Sequence, residues 1–341
     1  MPKTGGRSRR ALIWVLRISV SAVLMAVLLA NIHLDKALPK HRTVGTLLWL
    51  GAAVLVTWVG VVLSSWRWQL VLVAFDKRVR LRTLIRHTLA GLFVGNVLPS
   101  TIGGDVVKIS RSAKDTGSAS TAFASVVLER LTGFVTLPVL CFLGFLLHPA
   151  LFGTKGSWVA LLTSGVAVVV LGMIIVIAGH PRLAGRFAGR ENRTQFIGAV
   201  HIGVAQLRRH PRQAIKILVV AFVFQVTSML VFYCAVRALE APVPFLTVLA
   251  MAPAVAMAQV LPLSLNGLGV REGMLVILLR GVNGVTHSQA IGIGILWLAA
   301  TLIASLAGAI PFAVGHRRGD DDTSIVDTAF EEAVITEAAA P

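Results

Sequence analysis

Asn96-Val-Leu-Pro-Ser-Thr-Ile-Gly-Gly-Asp-Val-Val-Lys108 interrupts a chain that is otherwise mostly apolar. A lipid-facing helix would carry leucine or valine where this stretch carries Asn96, Asp105 and Lys108. Pro99, Gly103 and Gly104 break the helix that the flanking residues favour. A second stretch, Val260-Leu-Pro-Leu-Ser-Leu-Asn-Gly-Leu-Gly-Val-Arg-Glu272, echoes it. Pro262, Asn266, Gly267, Gly269, Arg271 and Glu272 take the places of the first proline, polar residues, glycines and charges, with a one-residue gap. Each copy is thus a short apolar segment, a proline, a glycine-rich turn, a cation and an acid.

The surrounding composition says what is being interrupted. A mean hydropathy of +0.81 and 56% hydrophobic residues are too apolar for a water-soluble domain. Several windows reach the ~20 apolar residues needed to cross ~30 Å of hydrocarbon. The expected fold is an all-α polytopic membrane protein of about 6–8 transmembrane helices with two re-entrant or broken-helix hairpins. The formal net charge of +17 raises nucleic acid as a partner. Its distribution argues against it, because the cations sit in short loops between apolar spans, where they set orientation. The two cysteines, Cys141 and Cys234, both lie in apolar spans, so neither a disulfide framework nor a zinc site is expected. No other metal or cofactor is implied.

Three parts follow along the chain: a basic head at 1–10, a transmembrane domain at 11–316 and an acidic, disordered tail at 317–341. The head reads as cytoplasmic, and 11–30 as a retained span rather than a signal peptide. A second span is expected over 44–65, ending at Trp66-Arg67-Trp68, which reads as an interfacial belt. Six cations against one acid in 66–88 mark a cytoplasmic segment. Residues 89–99 are too short to span. They either extend the 82–86 segment into a helix or form a hairpin entering from the cytoplasm. Further spans are expected at 119–147, 158–178, 214–236 and 288–314. The linker 180–213, with seven arginines against Glu191, suggests an amphipathic helix on anionic headgroups. Arg317-Arg318 place the C-terminus in the cytoplasm, so the second interrupted stretch enters from outside. Broken helices entering from the two sides, in an inverted repeat, are a recurrent transporter design.

The acids sharpen the site. Of fifteen, seven lie in the last 22 residues, and three of the other eight are Asp105, Glu129 and Glu272. A charge in the hydrocarbon costs ~2.5–3.5 kcal/mol even on insertion scales, so such residues are paired or functional. Backbone freed by proline and glycine must line a protein or water cavity. Half-helix N-termini there favour anions. The candidate binding set is therefore Asn96, Asp105, Lys108, Glu129, Arg130, Asn266, Arg271 and Glu272. Pro99, Gly103, Gly104, Pro262, Gly267 and Gly269 are the candidate hinges. Simpler roles stand beside these: Asp105 as a helix cap, Glu129-Arg130 as a structural pair with Asp105 or Lys108, and Arg271-Glu272 at an interface. The histidines read as loop or interface residues.

Asn96-Val-Leu-Pro-Ser-Thr-Ile-Gly-Gly-Asp105, Ala124-Ser-Val-Val-Leu-Glu129-Arg130-Leu-Thr-Gly133 and Leu261-Pro-Leu-Ser-Leu-Asn266-Gly-Leu-Gly-Val-Arg271-Glu272 together resemble the transmembrane flippase-like family. That family includes the N-terminal membrane region of lysylphosphatidylglycerol synthase/flippase proteins. The resemblance covers roughly residues 10–316. It implies movement of a lipid between leaflets, such as an aminoacylated phosphatidylglycerol or a polyprenyl-phosphate-linked sugar. An acidic tail stands where bifunctional members carry a soluble aminoacyl-transfer domain, so synthase activity is not expected.

The expectation is a flippase of the cell membrane, not an enzyme. Its partners would be anionic or phosphate-bearing lipids, and it is a possible homo-oligomer. No nucleotide-binding motif is present. A membrane glycosyltransferase or other lipid-modifying enzyme using Asp35, and a scaffold acting through the acidic tail, are the alternatives.

Overall fold

Helix α1 runs from Val44 to Ala74, in a computed structural model that describes residues 44–97, 103–179, 193–260, 269–279, 282 and 284–316. The head, the expected span 11–30, Asp35, Pro99, residues 180–192, Pro262, Asn266, Gly267 and the tail lie outside the described residues. The described residues are helical and include no strand.

α1 does not stop at Trp66 as expected. Arg67 and Trp68 are both buried, so they belong to the helix's protein-facing side rather than to an interfacial belt. The chain turns at Asp76, which adopts φ 56°, and Gln69 Nε2 ties the turn to the Val79 carbonyl at 2.8 Å.

Next come α2 (Leu81–Val97) and α3 (Gly103–Thr116), packed side by side as a hairpin. Residues 89–97 thus do extend the preceding segment, and the helix they complete is the first arm of that hairpin. Gly117, at φ +69°, ends α3. Ser118 then caps α4 (Ala119–Leu147) by accepting from the Thr121 amide at 3.2 Å.

A 3₁₀ turn (Pro149–Gly153) leads into α5 (Lys155–Gly179). Leu162, Val166, Val169 and Val176 on α5 are exposed, as on a face that lipid covers. The linker helix is α6 (Arg193–Arg209). It docks on the bundle, with Val200 fully buried and Gly203 against Leu128.

The second half repeats the plan. α7 (Pro211–Ala238) is followed by α8 (Phe245–Gln259) and α9 (Val270–Leu279), which pack together. α10 (His287–Ser305) opens with a capping box between Thr286 and Gln289. It continues through a 3₁₀ turn (Leu306–Gly308) into α11 (Ala309–His316). Five stretches among the described residues are long and apolar enough to cross a membrane: 44–74, 119–147, 155–177, 211–238 and 287–313. The four arms of the two hairpins are not among them.

α1 and α7 are antiparallel neighbours. Trp49 meets Tyr233 edge-on at 6.4 Å, while Gln213 near the start of α7 donates to the Leu70 carbonyl at 3.0 Å. The α2–α3 hairpin therefore enters at the end where α1 stops, and α8–α9 enters at the end where α7 stops. These are opposite ends of the bundle. Span–hairpin–span occurs twice, as α1, α2–α3, α4 and as α7, α8–α9, α10, in opposite senses. The largest apolar core joins the halves through Leu137, Leu140, Phe145, Phe232, Met251 and Leu275.

Candidate functional site

Three long helices and one hairpin converge on Glu129. It lies ten residues into α4, about 15 Å along the helix axis, and only 3% of it is exposed. Lys108 of α3 donates from Nζ to Glu129 Oε2 at 2.8 Å. Arg67 of α1 donates from Nη2 to Oε1, which also accepts from Ser64 Oγ at 3.0 Å. One carboxylate thus holds two cations from two different elements.

The surroundings hold this cluster by weaker contacts. Lys108 Nζ lies 4.6 Å from the Trp68 ring centroid, and Arg67 Cζ lies 4.7 Å from that of Phe224 on α7. Both are cation–π distances. Trp68 is fixed in turn by donating from Nε1 to Ser125 Oγ at 3.0 Å. The Nε and Nη1 groups of Arg67 are buried and have no protein acceptor. Nη1 faces Gly133, where a Cβ would come within 2.9 Å of it.

A second layer lies beside the first. Asp105 is three residues before Lys108 and on the same face of α3. It pairs with Arg130, the residue after Glu129. This layer is more open: the Arg130 side chain is 45% exposed, against 4% for Glu129. Asp105 is in the first turn of α3, where its charge suits the helix N-terminus, and the ion pair is its cross-helix contact. At the mouth of the hairpin, His87 Nε2 is 2.7 Å from Asp115 Oδ2, and Arg111 donates to the Pro311 and Phe312 carbonyls.

Close helix approach places Lys108. A Cβ on Gly91 would lie 2.7 Å from the Gly104 carbonyl oxygen and 3.0 Å from Lys108 Cγ. α2 is braced from behind by Gly308, where a Cβ would collide with the Leu89 carbonyl.

The echo stretch makes its own pair. Arg271 donates from Nε to Glu272 Oε1 at 3.0 Å, and the Gly269 amide donates to Oε2 at 2.8 Å. Both residues are at most 5% exposed, so they are buried rather than interfacial. Arg271 lies 5.7 Å from the Trp297 ring on α10. Gly294 makes room for Glu272, since a Cβ there would sit 3.2 Å from its Cγ.

Gly269 has φ +82°, where L side chains are strained by roughly 1–2 kcal/mol. Gly269→Ala is therefore expected to lower stability by about that amount. A thermal melt in detergent checks this.

Asp105, Lys108, Glu129 and Arg130 are thus brought together, while Arg271 and Glu272 pair on the other hairpin. Asn96 is in the last turn of α2, and Gly103 opens α3. Sequence reasoning missed Arg67. Its signal was the run of Ser64, Arg67, Trp68 and Val71, which helical spacing places on one face.

Fold and site define a polytopic helical membrane protein with paired, charged hairpins inside its bundle. The chain belongs to the family described as the lysylphosphatidylglycerol synthase TM region, whose model matches residues 14–308. That places it in a flippase-like, lipid-related group of membrane proteins. No curated protein matches it.

Proposed function

We propose that this protein is a flippase-like transporter of the cell membrane that moves a phosphate-bearing lipid between leaflets, with both termini cytoplasmic. The observation that carries this reading is the buried cluster of Arg67, Lys108 and Glu129, two cations sharing one carboxylate. A buried charge that is not fully compensated is costly, and in a membrane it marks a substrate or ion path. Guanidinium donors without protein acceptors suit phosphate oxygens.

The half-exposed Arg130–Asp105 pair is a first stop for a headgroup, and the Lys108–Glu129–Arg67 layer is the inner one. Acyl chains stay in the bilayer while the headgroup passes. The chemistry is movement without bond making.

Leaflet-specific quenching of a fluorescent anionic phospholipid in proteoliposomes tests the proposal. Transport should exceed that of empty vesicles, and Arg67→Gln should slow it by roughly tenfold, equivalent to about 1.4 kcal/mol. Rates equal to those of empty vesicles, across anionic phospholipids and polyprenyl-phosphate sugars, would overturn it.

A further inference from the structure

The inner cluster carries a definite charge. Arg67 and Lys108 are opposed by Glu129 alone. Arg130 and Asp105 neutralise each other one step out. Among the described residues the inner layer is therefore left with one uncompensated positive charge. It is lodged on residues that are 4%, 7% and 3% exposed for Arg67, Lys108 and Glu129. The excess is located as well as counted, because Nε and Nη1 of Arg67 are the buried donors without protein acceptors. Ser64 Oγ, which donates to Glu129 Oε1, contributes no charge.

Resting on the transport reading above, we infer that this cluster takes a lipid phosphodiester carrying a single negative charge, and that Glu129 sets that number. A phosphodiester brings one charge and neutralises the layer. A diphosphate-linked lipid brings at least two, which leaves a net negative charge buried away from water. At low dielectric that mismatch is the costlier arrangement. Specificity then rests on rejection of the wrong charge as much as on contacts with the right one. Phospholipids and polyprenyl monophosphate-linked sugars share the diester chemistry, and the charge alone does not separate them. Removing the carboxylate leaves two positive charges and turns the preference toward the dianion. Removing Arg67 leaves a neutral layer that either anion turns negative, so retention of both falls.

The test is lipid retention in mild detergent. Purified protein is incubated with an equimolar mixture of phosphatidylglycerol, a polyprenyl monophosphate-linked hexose and a polyprenyl diphosphate-linked hexose. What it keeps is measured by mass spectrometry. The wild type should keep at least one diester over the diphosphate by about tenfold or more, and which diester it keeps names the source. E129Q should shift the ratio toward the diphosphate, and the double variant R67Q/E129Q, again with one excess charge, should restore the diester preference. Should E129Q not fold, R67Q decides, because its remaining Lys108–Glu129 pair is neutral, a bound diester would leave it negative, and retention of the diester should fall by about tenfold. Equal wild-type retention of diester and diphosphate, retention of none of the three, or undiminished diester retention in R67Q would overturn the inference. Retention does not require flipping: selective retention without transport in vesicles would sink the transport reading and leave charge matching standing, whereas transport without selectivity would do the reverse.

Discussion

Glu129→Leu is expected to destabilise the protein by about 3–5 kcal/mol, the cost of removing one partner from a buried ion cluster. The substitution leaves Arg67 and Lys108 without a shared carboxylate, against the Trp68 and Phe224 ring faces and the Ser64 hydroxyl. Those are worth less than a carboxylate that accepts from both cations. Cys141 and Cys234 make the measurement direct, because both are buried in the core and free. Their reaction with a thiol-reactive dye during a temperature ramp reports unfolding, and the variant's midpoint should fall well below the wild type's. A triple variant, Arg67→Met, Lys108→Met and Glu129→Leu, should regain most of the loss, because apolar groups of similar size often replace buried ion clusters without penalty. It should also lose transport. A triple variant less stable than Glu129→Leu alone would mean that the ions serve the fold rather than the lipid.

The contrast between Arg67 and Glu129 shows how far the sequence could be read. Glu129 stood out because acids are few and this one falls mid-span. Spans 119–147, 158–178 and 214–236 were legible to within a few residues, since each is a long apolar run closed by loop residues. Arg67 was hidden by its company. It opens a run of cations that reads as a cytoplasmic segment, and its flanking tryptophans imitate an interfacial belt. Only α1's continuation to Ala74 and the burial of Trp68 separate it from that run. Its partner Glu129 lies 62 positions away, and no local pattern links the two.

The echo between the interrupted stretches was legible as composition. Its physical content differs between the copies. In the first, Lys108 crosses to a carboxylate on the neighbouring span. In the second, Arg271 and Glu272 are adjacent on one helix, and Gly294 lets the span come close. The opposite entry of the two hairpins follows from element order and from the antiparallel packing of α1 and α7. The same physical problem, a charge inside a bundle, is solved across helices in one half and within a helix in the other. Among the described residues only the cross-helix solution leaves a cation in excess, which is why the proposed site lies at the first stretch.

Gly104→Leu is expected to cost roughly 3 kcal/mol, at the upper end of the overpacking range, and to disable transport as well. A Cβ at Gly104 would run into the Gly91 carbonyl, with the Gly91 carbonyl carbon only 3.1 Å away. Backbone cannot rotate aside as a flexible side chain can, so α2 and α3 must separate. α2 has nowhere to go, because Gly308 lies directly behind Leu89. The displacement therefore falls on α3, which carries Asp105 and Lys108, and both ion layers lengthen together. Gly95→Ala is the control. A Cβ there meets Gly104 at 3.6 Å, ordinary van der Waals contact, and Ala favours the helix over Gly by up to ~1 kcal/mol. That variant should match or exceed wild-type stability and keep its transport rate. Dye-labelling melts and proteoliposome rates on both variants check the pair. Gly104→Leu with wild-type transport would show that Lys108 need not sit where the hairpin holds it, and the inner layer would then lose its claim on the lipid phosphate.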